Sequence, residues 1–381
     1  MAATRRLRTG FTTGACAAAA AKGAALLLLG REPSSVRLRL PWGSPDASDA
    51  AFAISGCRHG EFGVECGVVK DAGDDPDVTD GVEIRAAASW DRGDRTPPGG
   101  PAPRVVVEAG PGVGRVTKPG LALPVGEPAI NPVPRAMIEA AVGEALAEAG
   151  ATAPAGAALR VVVSIPRGEE VAARTLNARL GILGGLSLLG TTGIVIPLSA
   201  DAWRATVDTT LDVARAAGIP CVVLSHGRSS ESAAQALFPE FPPESFVLMG
   251  DHVGHSLEAA ASRGLPVVLA GQFAKFCKVA AGSFETHVKD SALDRGLLRD
   301  LLREVGFPDA DAEAALGANT AREVFHRLLA TGDRGVFEAL ARRVARRASD
   351  RIAQRGGRSV PVAAVLFGYD KGLLARGGAA G

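Results

Sequence analysis

Short apolar runs alternate with helical patterns in the middle of the chain, and this alternation restricts the fold more than any other feature. Strands are predicted at Cys221–Ser225, Phe246–Met249 and Val267–Ala270, and helices at Ser199–Ala217, Ser229–Phe238, Val253–Arg263 and Phe273–Ala281. Strands that alternate with helices are typical of a parallel sheet covered by helices. The chain from Ser291 to about Arg355 predicts further helix, and Val360–Phe367 a final strand.

Each of these three strands ends in a small polar turn. The turns are Ser225–Gly227, Gly250–His252 and Gly271–Gln272. Ligands of open parallel sheets bind outside the carboxyl ends of the strands, so the three turns should line one crevice. There, Asp251 is a candidate for accepting hydrogen bonds from ribose hydroxyls. The alternative is that Asp251 caps the helix that begins at Val253.

The first half of the chain predicts a different architecture. Thr12 and Thr13 precede an alanine-rich helix, and a second helix is predicted at Pro132–Ala149. Strand-like runs occur at Val36–Leu40, Ala50–Ser55, Phe62–Lys70, Val82–Ala87, Arg104–Glu108 and Leu159–Ile165. The 381 residues therefore predict two domains: residues 1–195, α+β with a mixed sheet, and residues 196–381, α/β with a largely parallel sheet flanked by helices.

A glycine-rich segment, Asn177–Pro197, ends the predicted first domain. It has almost no charge, and Gly184, Gly185, Gly190 and Gly193 permit positive φ or close approach of the backbone. Main-chain amides at such bends, with the hydroxyls of Thr191 and Thr192, suit an anionic ligand. The alternative is a tight structural crossing, where the glycines only let elements pack closely.

An irregular stretch, Gly110–Arg135, is rich in proline and glycine and carries Lys118 and Arg135. A long segment without secondary structure is uncommon inside a compact domain unless it binds something. The polar loop Ser89–Pro103, by contrast, is predicted to be exposed and without function.

Composition excludes several classes of partner. Aromatic residues make up only 4% of the chain and its formal net charge is +1, which argue against a base-stacking nucleic-acid surface and against a membrane surface held by charge. The five scattered cysteines indicate buried thiols in a reducing compartment. We therefore expect a cytoplasmic protein. The apolar run Ala15–Leu29 leaves a signal peptide as the alternative, although Lys22 interrupts it.

The residues alone do not define the reaction. Neither the dinucleotide-binding glycine motif nor the P-loop motif is present. His252 and His255 beside Asp251 have metal-ligand spacing, but no further ligand accompanies them. The lysines and histidine at Lys275, Lys278, His287 and Lys289 suit carboxylate ligands or an ordinary solvated helix face.

Long irregular blocks resemble the CbiD family, the cobalt-precorrin-5B methyltransferases of anaerobic cobalamin biosynthesis. The similarity runs in order over most of the chain. The blocks are Leu7–Ala24, Val116–Ile138, Ser164–Ser199, Val247–Leu257 and Phe273–Ser291.

The resemblance implies transfer of a methyl group from S-adenosylmethionine to carbon 1 of cobalt-precorrin-5B, which forms cobalt-precorrin-6A. Cobalt then arrives only as part of the substrate, and no protein metal site is expected. Under this reading the cofactor contacts are Gly184, Gly185, Gly190, Thr191, Thr192, Gly193, Gly250, Asp251 and Gly271. The macrocycle contacts are Thr12, Thr13, Lys118, Arg135, Arg179 and Lys275.

Two other functions remain open from the sequence. One is a non-catalytic tetrapyrrole carrier on the same scaffold, which would not bind S-adenosylmethionine. The other is a nucleotide-dependent enzyme, which would bind ATP or NAD instead. No general base can be named, and the oligomeric state, including a homo-oligomer, is not determined by these residues.

Overall fold

The computed structural model describes residues 7–41, 49–91, 104–151, 154, 157–288, 293–356 and 358–378, without the side chains of residues 311 and 315. Lys289, Ser291 and the predicted loop from residue 92 to residue 103 lie outside the described residues. Contacts between Cα atoms divide the chain into two compact units, Met1–Ser199 and Ala200–Gly381. The predicted boundary after residue 195 lies a few residues before this division.

The first unit combines helices with short and long strands. Its helices are α1 (Thr13–Leu28), α2 (Pro132–Ala149) and α3 (Gly168–Ala172). Its strands are β1 (Gly10–Phe11), β2 (Ser35–Leu38), β3 (Ala50–Ala53), β4 (Gly56–Gly60), β5 (Gly63–Val69), β6 (Glu83–Asp91), β7 (Val105–Ala109), β8 (Gly112–Val113), β9 (Arg115–Val116), β10 (Ala158–Ser164), β11 (Ile182–Leu183), β12 (Gly185–Leu186) and β13 (Ile194–Val195).

Helix α1 is buried along nearly its whole length because alanine side chains let neighbours approach from all sides. Thr12 accepts a hydrogen bond from the amide of Ala15 at 3.2 Å, so the predicted N-cap is confirmed. The helix packs on α2 and on the strands β5 and β6. At Gly14 the approach is so close that a Cβ would lie 2.7 Å from Cγ of Pro134.

The main sheet of this unit is mixed, as predicted. Its order is β4-β5-β6-β10-β7, with antiparallel pairs except for the parallel pair β10–β7. Strand β6 continues through Ser89 to Asp91, which corrects the predicted start of the exposed loop. Strand β7 is an edge of the sheet.

The cysteine prediction was wrong for one pair. Cys57 and Cys66 lie opposite each other on β4 and β5 and form a disulfide. Strand pairing brings them together, and their spacing in the sequence does not indicate it. Cys16, Cys221 and Cys277 are free.

The second unit has the α/β architecture predicted from the alternation. Its helices are α4 (Ala200–Ala216), α5 (Arg228–Leu237), α6 (Val253–Ser262), α7 (Phe273–Ala280), α8 (Arg295–Glu304), α9 (Asp309–Leu316), α10 (Ala321–Ala330) and α11 (Gly335–Gln354). Its strands are β14 (Val222–Ser225), β15 (Phe246–Leu248), β16 (Val267–Gln272), β17 (Val362–Phe367) and β18 (Leu373–Gly378).

The sheet order is β15-β14-β16-β17-β18, and only β18 runs antiparallel to its neighbour. Helices cover both faces: Val223 packs with the side chains of α5, while Val222 and Leu224 pack in the core formed with α4, α6 and α11. The predicted largely parallel sheet is confirmed. Strand β18 was not predicted, because its short run with two glycines lacks a strand pattern.

Candidate functional site

The polar turns that follow β14 and β15 lie next to each other at the carboxyl edge of the parallel sheet. The third predicted turn, Gly271–Gln272, is instead the end of strand β16, and helix α7 begins directly after it. Ser225 pairs with Leu248 on one side and with Ala270 on the other, so β14 and β15 end at the same level and β16 continues two residues further. The residues that were predicted to line one crevice therefore share one edge of the sheet. Strand β14 is central to it, because it lies between β15 and β16.

Asp251 follows β15 and is held by two neighbours. Lys275 Nζ and Thr286 Oγ1 both donate to its Oδ1, at 2.5 and 2.7 Å, and Oδ2 takes part in neither contact. Burial raises the pKa of Asp251, but the hydrogen bonds from Lys275 and Thr286 outweigh this effect and lower it overall. Asp251 is therefore a charged acceptor of fixed orientation, with one oxygen left over.

Lys275 has a different position from the one that the resemblance implied. Its ammonium group pairs with Asp251 and also donates to the carbonyl oxygen of Thr286 at 2.9 Å. Lys278 donates to the same carbonyl at 2.9 Å. Lys275 thus orients Asp251 within the fold, and its charge is already balanced by that carboxylate.

Position 250 requires glycine. Its φ of +62° belongs to the left-handed region, and a Cβ would lie 2.9 Å from Nε1 of Trp203. The Trp203 indole therefore lies directly against the turn, and the residue is 42% exposed. Trp203 was not among the site residues predicted from the sequence. The chain holds only three tryptophans, and this scarcity was the available signal.

Ser225 and His226 end strand β14 at the middle of the edge. Nδ1 of His226 lies 3.5 Å from the carbonyl oxygen of Ala270 on β16. Among the described residues, neither Nε2 of His226 nor Oγ of Ser225 has a hydrogen-bond partner, and both atoms are buried. Gly271 leaves space mainly for the buried Phe276, since a Cβ there would lie 2.3 Å from Cε1 of that ring and 3.0 Å from Nδ1 of His226.

His252 and His255 do not converge on a common point. Nδ1 of His252 pairs with Glu285 at 2.9 Å, and Nε2 of His255 pairs with Asp208 at 3.0 Å. Within the part of the chain that the structure describes, no group of three or more His, Cys, Asp and Glu side chains could hold a metal ion.

The irregular stretch of the first unit lines a groove beside the edge strand β7, with a volume of about 540 Å³. Arg135, at the start of α2, donates to the carbonyl oxygen of Val107 at 3.0 Å. Arg115 lines the same groove and was missed by the sequence analysis. The full lining is Val107, Glu108, Ala109, Arg115, Leu123, Pro124, Glu127, Pro128 and Arg135.

Two further predicted cations lie near this groove. Strand β11 pairs with β9, which places Leu183 opposite Arg115. Lys118 lies against Gly181, where a Cβ would be 2.5 Å from its Cγ, and Arg179 precedes that glycine by two residues. The backbone of the glycine-rich segment, which carries Arg179, thus lies next to the backbone of the irregular stretch, which carries Arg115 and Lys118.

A second groove, of about 450 Å³, includes Arg58, Glu65 and Arg85 in its lining. Arg58 pairs with Glu65, and Arg85 pairs with Glu65 and Glu83. These charges neutralise one another, and none of the predicted site residues lies there.

Thr12 and Thr13 do not form a ligand surface, which corrects their predicted role. Both are buried, at 5% and 4% exposure. Thr12 caps α1, and Oγ1 of Thr13 accepts from the amide of Leu189 at 3.0 Å. The Thr13 hydroxyl, together with the backbone amide of Thr12, which donates to the carbonyl oxygen of Gly193 at 2.9 Å, joins helix α1 to the glycine-rich segment.

Most glycines of the glycine-rich segment serve close packing. A Cβ would lie 2.1 Å from the carbonyl oxygen of Gly112 at Gly185, 2.5 Å from Thr12 at Gly190 and 2.9 Å from Leu40 at Gly193. Gly184, with φ of +80°, faces open space. The alternative of a tight structural crossing therefore explains three of the four glycines.

The rest of the segment is more exposed than its apolar composition indicates. Thr191 is exposed and Thr192 partly so. Four of its apolar neighbours are also exposed: Leu183, Leu189, Ile196 and Leu198.

None of the described helices combines the length and the apolar character that crossing a membrane requires.

Residues 1–197 match the CbiD family model, and residues 285–378 match the model of the CbiD C-terminal domain. The chain is 46% identical to a cobalt-precorrin-5B C(1)-methyltransferase of Geobacter metallireducens, over 97% of this chain and 99% of that protein. Identity to the enzyme of the same name from Geobacter sulfurreducens is 47%, over 97% and 98%. For Geobacillus kaustophilus the corresponding values are 42%, 93% and 91%.

The crystal structure of a cobalamin biosynthesis protein (cbiD) from Archaeoglobus fulgidus is also similar. It aligns with a TM-score of 0.38 and 26% identity, over 79% of this chain and 85% of that one.

Proposed function

The chain belongs to the CbiD family, and we propose that it methylates carbon 1 of cobalt-precorrin-5B with S-adenosylmethionine as the donor. The products are cobalt-precorrin-6A and S-adenosylhomocysteine. The sulfonium of the donor supplies an electrophilic methyl group, so the protein need not supply a nucleophile. Holding two reactants in line can lower such a barrier by up to about 7–11 kcal/mol.

The carboxyl edge of the parallel sheet fits the adenosyl group. Oδ2 of Asp251 is free of the contacts that orient this carboxylate, and it can accept from ribose hydroxyls. Trp203 offers an exposed ring against Gly250 for adenine. In this assignment Lys275 orients Asp251 and does not contact the macrocycle.

The groove of the first unit fits the macrocycle, and the observation that carries this assignment is the convergence of Arg115 and Arg135 on it. Cobalt-precorrin-5B carries many carboxylates, and arginine binds carboxylates with two parallel hydrogen bonds. Of the two acidic residues in the lining, Glu108 is paired with Arg160 at 2.6 Å, so Glu127 is the one that offsets the two arginines. Lys118 and Arg179 extend the basic surface.

From the glycine-rich segment we keep Gly184, Thr191 and Thr192 as candidate ligand contacts. Gly184 faces open space, and the two threonines are at least partly accessible. Gly185, Gly190 and Gly193 are assigned to packing.

Asp251 is tested by calorimetry with S-adenosylhomocysteine. Asp251→Ala should weaken binding by about 10- to 150-fold, since one charge-assisted contact contributes about 1.5–3 kcal/mol. Asp350→Ala removes an exposed aspartate of the same unit and should leave affinity unchanged. Equal affinity of wild type and Asp251→Ala would remove Asp251 from the site. No binding by wild type would favour a tetrapyrrole carrier over a methyltransferase.

The arginines are tested by steady-state kinetics with the corrinoid substrate. Arg135→Ala and Arg115→Ala should each raise KM by about 10-fold and leave the affinity for S-adenosylhomocysteine unchanged. Arg174→Ala removes an exposed cation of the same unit and serves as the control. If the arginine variants instead lose affinity for S-adenosylhomocysteine and keep the wild-type KM for the corrinoid, the assignment of the macrocycle to this groove is wrong.

A further inference from the structure

Two consecutive polar residues where strand β14 ends, Ser225 and His226, each have a buried polar atom without a partner in the described residues. Nε2 of His226 and Oγ of Ser225 are both shielded from solvent, and neither is hydrogen-bonded within the described part of the chain. A buried polar atom without a partner costs a fold roughly 1–3 kcal/mol. An apolar side chain at either position would avoid this cost, so packing alone does not account for them.

The sheet order gives these two atoms a special position. From β14 the chain moves outward to β15, and from β15 it crosses back over β14 to β16. The connections therefore change direction between β14 and β16. In sheets with this strand order, nucleotide ligands bind at that point, outside the carboxyl ends of the two strands. His226 spans it, because its Nδ1 faces the carbonyl oxygen of Ala270 on β16 at 3.5 Å.

The tautomer follows from that contact. A proton on Nδ1 donates to the Ala270 carbonyl, which leaves Nε2 as a hydrogen-bond acceptor. Burial, with Lys275 nearby, lowers the pKa of His226 to about 4, so the ring stays neutral at neutral pH. The hydroxyl of Ser225 adds a group that can both donate and accept.

We propose that His226 Nε2 accepts a hydrogen bond from the adenosyl group of the methyl donor, and that Ser225 Oγ binds the same group. The inference rests on the proposed function and deepens it, since it names the residues that recognise the nucleoside. The turn Ser225–Gly227 has to shift for the ligand to reach these shielded atoms. His226 is then a specificity residue, separate from the Asp251 contact.

Calorimetry with S-adenosylhomocysteine distinguishes the contributions of the two ring nitrogens of His226 to binding. His226→Asn keeps a polar group near Nδ1 but lacks the acceptor at Nε2, and we expect its Kd to rise between about 5- and 100-fold. His226→Gln reaches the position of Nε2 and should recover most of that loss. His326→Asn makes the same substitution at an exposed histidine of this unit and should change nothing. Thermal unfolding checks that each variant is folded.

Ligand analogues identify the group that His226 binds. One analogue carries a carbonyl in place of the adenine amino group, and others lack one ribose hydroxyl. The analogue without the recognised group should bind wild type more weakly than S-adenosylhomocysteine, and His226→Asn should abolish this difference. Coupling to the amino group or to a hydroxyl supports the proposal. Coupling to neither overturns it.

The outcomes also separate this inference from the proposed function. If wild type binds S-adenosylhomocysteine and His226→Asn binds it equally well, the inference falls and the methyltransferase assignment stands. If wild type does not bind the ligand at all, both fall. Weakening in His226→Asn without recovery in His226→Gln, at unchanged thermal stability, would also contradict a role for the Nε2 acceptor.

Discussion

At the scale of single residues, partners distant in the sequence change what a side chain can do. Asp251 and Lys275 were predicted to contact different ligands, yet they form one ion pair. Thr12 and Thr13 were predicted to face the substrate, yet their hydroxyls hold the fold together. The structure adds three candidate site residues that the sequence did not indicate, because of the groups that surround them: Arg115, Trp203 and His226. A residue type indicates a chemistry, and its neighbours determine whether that chemistry is free to act.

Gly250→Ala should destabilise the protein more than an ordinary glycine substitution at positive φ. A Cβ at 250 meets both a φ of +62° and the Trp203 ring. The control is Gly218→Ala, because Gly218 has a φ of +69° and open space around it. We expect a loss of about 1 kcal/mol for Gly218→Ala and about 2–3 kcal/mol for Gly250→Ala, measured by urea unfolding. Equal losses would show that Trp203 does not restrict this turn.

His226 should make stability depend on pH. Its pKa is about 4 in the fold, against an ordinary value of 6.5 that unfolding restores. The imidazole of His226 is therefore protonated below about pH 6.5 in the unfolded chain, but only below about pH 4 in the folded chain. This contribution to stability is complete above pH 6.5 and declines as the pH falls to 4, by up to about 3 kcal/mol.

The variant His226→Gln isolates this effect, because Asp251 and Lys275, the charges that face the imidazole, remain in place. The difference in free energy of unfolding between wild type and His226→Gln should shrink or reverse as the pH is lowered. A difference that stays constant from pH 7 to pH 4.5 would mean that the imidazole is protonated normally in the fold.

At the scale of elements, helix α1 is joined to α2 by a buried cation. Nζ of Lys22 lies 2.9 Å from Glu144 and 2.5 Å from Glu148 on α2, and 2.8 Å from the carbonyl oxygen of Arg37. Burial lowers the pKa of Lys22, and the hydrogen bonds that it donates to Glu148 and Glu144 raise it by more. The lysine that interrupts the apolar run is thus a structural part of the helix pair.

Replacing Lys22 separates its packing from its charge. Lys22→Met keeps most of the volume and should cost about 1–2 kcal/mol, while Lys22→Ala also opens a cavity and should cost about 3–4 kcal/mol. Denaturant unfolding of both variants measures the two contributions. The same loss in both would mean that the stem of Lys22 contributes nothing to the α1–α2 contact.

At the scale of the whole molecule, each ligand should protect its own set of amides from hydrogen exchange. With S-adenosylhomocysteine at 100 times its Kd, amides of Ser225–Gly227 and Gly250–His252 should exchange up to about 100-fold more slowly. The corrinoid should instead protect Arg115–Lys118. Mass spectrometry of the peptides reports both. Protection by S-adenosylhomocysteine confined to Asn177–Pro197 would place the donor on the glycine-rich segment.

The sequence by itself determined the features that repeat locally. The spacing of apolar runs defined the parallel sheet and the turns at its edge, and Thr12 marked the start of α1. Long blocks of residues indicated the CbiD family, which the relatives confirm. These features can be recognised without tertiary information because helical and strand periodicity, capping and family motifs each depend on residues that are close together in the sequence.

Only the tertiary structure decided which side chains meet. Asp251 and Lys275 are 24 positions apart, and Cys57 and Cys66 meet because β4 and β5 pair in one register. The convergence of Arg115 and Arg135 depends on the edge position of β7. The burial that keeps His226 neutral, and that leaves its Nε2 without a partner among the described residues, depends on strands from both sides. Such contacts follow from long-range packing, and local patterns do not encode them.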